Sequence, residues 1–294
     1  MSNSYDNSYR SKNLFSIQNI VLLSLGWAML ALLYFLLFSA KIPDPSNDGK
    51  EIREAWYLLG TNIFEGSAYL GASFLCWRNW RSTQIISSRK VWLFIGLGML
   101  AYFIGGIVFG YIEIGLGQEP DVSIADVFFV ITYLFLGTGM SLALFSRRIN
   151  LEKWQWLIVF AVGALGSFIA WFISRQNPDI SADLEPLMQQ IKLILDWFYV
   201  VSDVLLLIIA TIMLLAFWGG KVSLSWRMIA AAAFSLYIAD MWFKYATNYL
   251  PDYQSGDILE VFWVFSGVLF GMGAALEYEA SLSLKRRTSG RKRT

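Results

Sequence analysis

Histidine is absent from this 294-residue chain, and Cys76 is its one cysteine. These absences exclude a His-ligated haem, a zinc site built on His or Cys, a Cys-ligated iron–sulfur cluster and any disulfide within the chain. They also remove the commonest general base of enzyme sites. No G-x-S-x-G or H-E-x-x-H motif occurs. The expectation is a non-enzymatic protein, with no catalytic residue, no metal site and no cofactor. Charge is scarce as well: Asp, Glu, Lys and Arg make up 15% of the residues, against about 25% in a soluble domain.

What the chain has instead is apolar surface. Hydrophobic residues make up 56% and aromatics 17%, with 13 Trp, and the mean hydropathy is +0.51. Several apolar runs reach the roughly 20 residues that cross a bilayer as a helix. The sequence predicts an all-α integral membrane protein, a bundle of about eight transmembrane helices at residues 18–39, 57–77, 91–113, 124–145, 154–174, 194–217, 227–249 and 257–279. Residues 1–17 form a polar tail, 18–280 the membrane domain and 281–294 a basic tail. The polar start leads into an apolar run without a small-residue cleavage site, so no cleavable signal peptide is expected. The apolar stretch from Ile191 to Trp218 is too long for one untilted span, and its first part, with Pro186, Lys192 and Asp196, reads as an interfacial helix or an extension of the sixth span.

Seventeen of the 23 Lys and Arg residues fall in the tails and alternate loops on one side of these spans, including Arg78, Arg81, Arg147, Arg148, Arg227 and the terminal cluster Lys285–Arg293. Five fall on the other side: Lys41, Lys50, Arg53, Arg175 and Lys192. The positive-inside rule then places both termini in the cytoplasm, of a bacterial inner or comparable internal membrane. Trp77, Trp80, Trp92, Trp154, Trp156, Trp218 and Trp226 fall near the cytoplasmic helix ends, where an interfacial aromatic belt is expected.

The even-numbered segments begin alike, as T-N-I-F-E (61–65), A-D-V-F-F (125–129), S-D-V-L-L (202–206) and G-D-I-L-E (256–260). Four helical hairpins are the simplest account of this repeat. Its fixed polar positions are Asn62, Asp126, Asp203 and Asp257. An Asp near a helix start satisfies free N–H groups, which suits Asp126 and Asp257. Asp203 lies deeper in an apolar run, where a role between helices competes with the helix-start reading.

Asp240 and Lys244 stand one turn apart in the seventh segment. At that spacing they are expected to pair on one helix face, which lowers the cost of charge in the membrane. Glu65, Asp203 and Glu260 lie at similar depth, with Tyr133, Trp242 and Trp263. Two readings follow: a buried polar network joining helices, or an outward-open pocket with apolar walls and a few convergent polar groups. The candidate ligand-binding residues are Glu65, Asp126, Asp203, Asp240, Lys244, Asp257, Glu260, Tyr133, Trp242 and Trp263. A transport path also needs polar groups in the inner half, where the predicted spans have almost none.

The stretch E-P-D-V-S-I-A-D-V-F-F-V-I-T-Y-L-F-L-G-T-G-M (119–140) resembles a segment of the polytopic N-terminal sensor regions of bacterial diguanylate cyclases, phosphodiesterases and histidine kinases. The likeness rests on Pro120, Ser123, Ala125, Asp126, Phe128 and Tyr133, and on similar elements at 201–207 and 253–263. It implies a membrane sensor that passes a signal to a cytoplasmic output. The sequence has no G-G-D-E-F, no E-A-L and no phosphoacceptor His, so the resemblance implies signalling through a separate cytoplasmic or membrane protein partner. The basic tail suits anionic lipid headgroups or an acidic partner; no nucleic-acid role is expected of so short a tail. The alternatives are a structural or assembly subunit of a membrane complex and a small-solute transporter.

Overall fold

A computed structural model describes residues 17–43, 51–118, 122–146, 149–175, 185–218, 223–250 and 253–291, with backbone alone beyond 285. Almost all of these residues are helical. The helices are α1 (Ile17–Phe38), α2 (Ala55–Arg81), α3 (Arg89–Gly110), α4 (Ala125–Phe145), α5 (Lys153–Ile173), α6 (Pro186–Ala216), α7 (Ser223–Tyr249) and α8 (Val261–Arg291). A π-helical turn, Tyr111–Gly115, extends α3, and a 3₁₀ turn, Ile258–Glu260, leads into α8. A two-residue antiparallel pair, β1 (Ile42–Pro43) and β2 (Glu51–Ile52), closes the link between α1 and α2.

Long apolar runs fold as helices in a membrane because only intrahelical bonds satisfy every backbone polar group there. Six helices are long and apolar enough to cross: α1, α3 with its π turn, α4, α5, α6 and α8 with its 3₁₀ turn. The chain is thus an integral, multi-pass membrane protein in contact with lipid. α2 and α7 reach 27 residues each, but their polar side chains keep them out of that apolar set. α6 is one continuous helix from Pro186, so the stretch before residue 194 extends the sixth helix. Pro186 fits its first turn because that N–H needs no intrahelical partner. α8 continues past residue 280 into the basic segment.

The packing closes a ring, α2–α3–α4–α6–α7–α8 and back to α2. α1 lies outside it against α8 and α2, and α5 lies outside against α6 and α7. Both outer helices present apolar side chains outward; Leu23 and Phe160 are 71% and 74% exposed. Close helix approach depends on small residues. A Cβ added to Gly267 of α8 would stand 3.0 Å from Ala68 Cβ of α2.

Trp77, Trp154, Trp156 and Trp218 are exposed at helix ends, as an interfacial belt requires. Trp92 and Trp226 are not: both are buried and stack at 5.7 Å in the main core. Their side chains point from the first turns of α3 and α7 into the ring, and Trp92 Nε1 donates to Ser87 Oγ at 2.7 Å. Helix rotation decides which Trp at a given depth meets lipid, and sequence depth alone does not reveal it.

Of the sequence features above, the tail before residue 17, Pro120 of the quoted motif, Arg147, Arg148 and the side chains of the basic tail beyond 285 lie outside the described residues.

Candidate functional site

α6 buries Val200, Asp203, Leu206, Leu207 and Ala210. These positions recur at helical spacing, so Asp203 belongs to the stripe that faces the ring. α7 buries Leu236, Tyr237 and Ala239 and brings Asp240 to the same depth. Tyr133 of α4 lies between the two carboxyls. Its hydroxyl is 2.6 Å from Asp203 Oδ1 and 2.6 Å from Asp240 Oδ2. Trp263 of α8 donates from Nε1 to Asp240 Oδ1 at 2.7 Å. Four helices therefore converge on one polar cluster. Asp203 is 2% exposed and Tyr133 8%, so the cluster is buried between helices.

The proton count of this cluster is informative. A phenol has one proton and can also accept. Two carboxylates at 2.6 Å from one phenol oxygen cannot both receive that proton. The hydroxyl therefore serves one carboxyl at a time and couples the two. Asp203 Oδ2 is buried and receives no hydrogen bond from a donor of the cluster, and Asp240 lies within side-chain reach of Asp203.

Lys244 does not pair with Asp240. Its Nζ donates to Asp196 Oδ1 of α6 at 2.8 Å. The expected pair within α7 is replaced by a pair between helices, and the geometry explains why. α6 and α7 are consecutive ring neighbours joined by a short connection, so they run antiparallel. Asp196 lies seven residues before Asp203, two turns along the same face. Lys244 lies one turn beyond Asp240 and reaches that level with its long side chain. The seven-residue spacing to Asp203 puts Asp196 on that face in the sequence, but not its pairing with Lys244.

The remaining candidates separate into three places. Glu65 of α2 is half-buried beside Tyr102 of α3, and its electrostatic neighbours include Glu113, Asp240 and Glu260. Tyr102 stacks on Tyr69 at 3.8 Å, and Glu113 is buried in the π turn. These aromatic and acidic residues extend the cluster toward α2 and α3. Trp242 lies aside, packed on Tyr245 with its Nε1 buried and without a partner.

Asp126, Asp257 and Glu260 serve helix starts. Asp126 accepts from Ser123 N at 2.7 Å and from the Tyr199 hydroxyl at 2.8 Å. Asp257 and Glu260 form a capping box: Glu260 accepts from Asp257 N at 3.1 Å and Gly256 N at 2.7 Å. Gly256 needs its φ of +92° to make this turn, a conformation open to glycine. Tyr253 donates to Glu260, and burial holds its phenol above the usual range. Arg53 fastens the turn to the link between α1 and α2. It pairs with Asp257 at 3.5 Å and donates to Ser255 O, Gln254 O and Ser39 O.

At the opposite end, the loop from 82 to 88 is bound to α8. Ile86 N donates to Ser281 Oγ and Ser87 N to Glu277 Oε1, each at 3.0 Å. Asn79 of α2 donates to Ala274 O at 2.8 Å. The end of the bundle opposite Arg53 thus holds a buried carboxylate, Glu277, that apolar patterning did not single out.

Among the described residues, no group of three or more carboxylates, Cys or His is arranged to hold a metal ion. Comparison with known proteins gives no match: no family model fits the sequence, and neither a curated protein nor a solved structure is similar to it.

Proposed function

We propose that the chain is a non-enzymatic membrane sensor whose recognition element is the cluster of Asp203, Tyr133, Asp240 and Trp263. The observation that carries this reading is the single Tyr133 hydroxyl placed between carboxyls of α6 and α7. Acceptors outnumber donors in the cluster, and the nearest cation, Lys244, is held by Asp196. The fitting ligand is a small solute that carries hydrogen-bond donors, such as an amine. Its entry changes contacts on α4, α6, α7 and α8 together. The response leaves through α8 to a separate partner, in keeping with the resemblance to bacterial sensor regions.

In this reading α2 and α7 also cross the membrane, because at 27 residues each extends about 40 Å. That makes eight spans in four hairpins, with both termini cytoplasmic by the charge bias and the acidic cluster in the outer half. A structural or assembly role is the second reading. It is favoured by α1, of which only 11% of the apolar window is buried, leaving a broad face for another membrane subunit.

The test is a thermal-shift screen of small amines and neutral donor solutes on purified protein in nanodiscs. A solute that stabilises the wild type but neither Asp203→Asn nor Tyr133→Phe supports the proposal. Equal stabilisation of all three removes the cluster from recognition.

A further inference from the structure

A cavity of about 470 Å³ opens at the end of α2 that carries the chain's basic excess, remote from the carboxyl cluster. Its walls are Phe74, Trp77, Arg78 and Arg81 of α2, the turn that starts at Ser82, and Tyr278 of α8. None of its lining residues is acidic.

Two guanidinium groups are held on aromatic faces here. Arg78 Cζ lies 4.1 Å from the Tyr278 ring centroid, and Arg81 Cζ lies 5.2 Å from that of Trp77. Such stacking fixes the plane of an Arg and keeps its edges for acceptors. Arg78 Nε and Nη2 are shielded from water and have no hydrogen-bond partner. They form one edge of the guanidinium, just beneath the cavity wall; a shift of the side chain on the Tyr278 face presents this edge to an oxyanion, which the two donors can grip in bidentate fashion. A charged group that only marked topology would keep its donors in water; two of the three Arg78 nitrogens have given up water without gaining an acceptor.

We propose that this cavity binds a phosphate group. Arg78 and Arg81 supply the charge, while Ser82 and the following turn supply polar contacts. The phosphate can belong to an anionic phospholipid or be free in the adjacent water. The flank favours the lipid: Phe74 and Trp77 are 68% and 42% exposed beside the cavity, where acyl chains lie. Because Tyr278 follows Glu277, the residue that binds the α2–α3 loop, an occupant joins α2, that loop and α8.

The test uses the full chain in mild detergent and native mass spectrometry, with phosphatidylglycerol, phosphatidylcholine and inorganic phosphate as probes. Wild type is expected to retain one phosphatidylglycerol in preference to phosphatidylcholine. Arg78→Gln should weaken retention about tenfold, the worth of one charge-assisted bidentate contact. Arg81→Gln, at an exposed position that leaves the fold intact, should weaken it several-fold. Arg227→Gln is the control, since Arg227 stacks on Trp218 outside the cavity, and it should change nothing. Displacement of the lipid by millimolar inorganic phosphate assigns the site to the phosphate alone; resistance to it assigns the site to the whole lipid. Equal retention by wild type, Arg78→Gln and Arg81→Gln overturns the proposal, as does an equal loss in Arg227→Gln.

Discussion

Asp203 of α6 and Asp240 of α7 meet on one hydroxyl. The Tyr133 oxygen stands 2.6 Å from each carboxyl, and Trp263 fixes the far oxygen of Asp240. Because that phenol carries one proton, it serves one carboxyl at a time and couples the two. Removing any member changes the hydrogen bonding of the others.

Tyr133→Phe deletes the shared hydroxyl and leaves both carboxyls facing apolar surroundings. The expected loss is about 1–3 kcal/mol of stability, the cost of stranding a buried polar group. Thermal unfolding in nanodiscs reads it. Asp203→Asn keeps a polar group in place and should cost less than Tyr133→Phe.

The ion pair between Lys244 and Asp196 makes a separate prediction. Removing one partner of a shielded pair leaves an uncompensated charge, so Lys244→Met and Asp196→Leu should each destabilise more than the double variant. A double-mutant cycle should give a coupling of about 0.5–3 kcal/mol for Lys244 with Asp196. The cycle of Lys244 with Asp240 should give a smaller value.

Arg53 ties the α1–α2 link to the turn before α8 through Asp257 and three carbonyls. Arg53→Ala should raise amide hydrogen exchange in residues 51–54 and 253–257. The α7 core around Ala233 should keep its protection. Exchange that rises equally in both would mean that the clamp supports the whole bundle.

At Gly267 a Cβ would stand 3.0 Å from Ala68 Cβ, with α2 backbone close behind. Gly267→Leu should therefore separate α2 from α8 and cost about 1–3 kcal/mol. Gly71, whose added Cβ meets nothing within 4 Å, is the matched control, and Gly71→Leu should be tolerated.

How much of this was legible in the sequence differs by feature. Helices α1, α3, α4 and α5 begin and end close to the expected positions, because apolar runs bounded by charge and turn residues determine them locally. Tyr133, Asp203, Asp240 and Trp263 were also legible, as polar or amphipathic groups at one depth. Their partners were not. Lys244 chooses Asp196 over Asp240 because α6 and α7 lie antiparallel in contact, a relation that no single helix encodes. Trp92 and Trp226 share their depth with the lipid-facing Trp residues, yet rotation turns them inward. Glu277 sits at a span's end, where a carboxylate suggests water, and is buried by a loop that folds back onto it.

The most direct test of the account is native mass spectrometry of the protein purified in mild detergent, as wild type and as Asp203→Asn, Tyr133→Phe and Asp257→Asn. The account predicts a small-molecule adduct on the wild type that survives in Asp257→Asn, which alters a helix cap and its Arg53 contact but no member of the cluster. The adduct should be lost in Asp203→Asn and Tyr133→Phe. A folded wild type without any adduct, or one retained equally by all four proteins, would contradict the claim that this cluster is where the protein recognises its ligand.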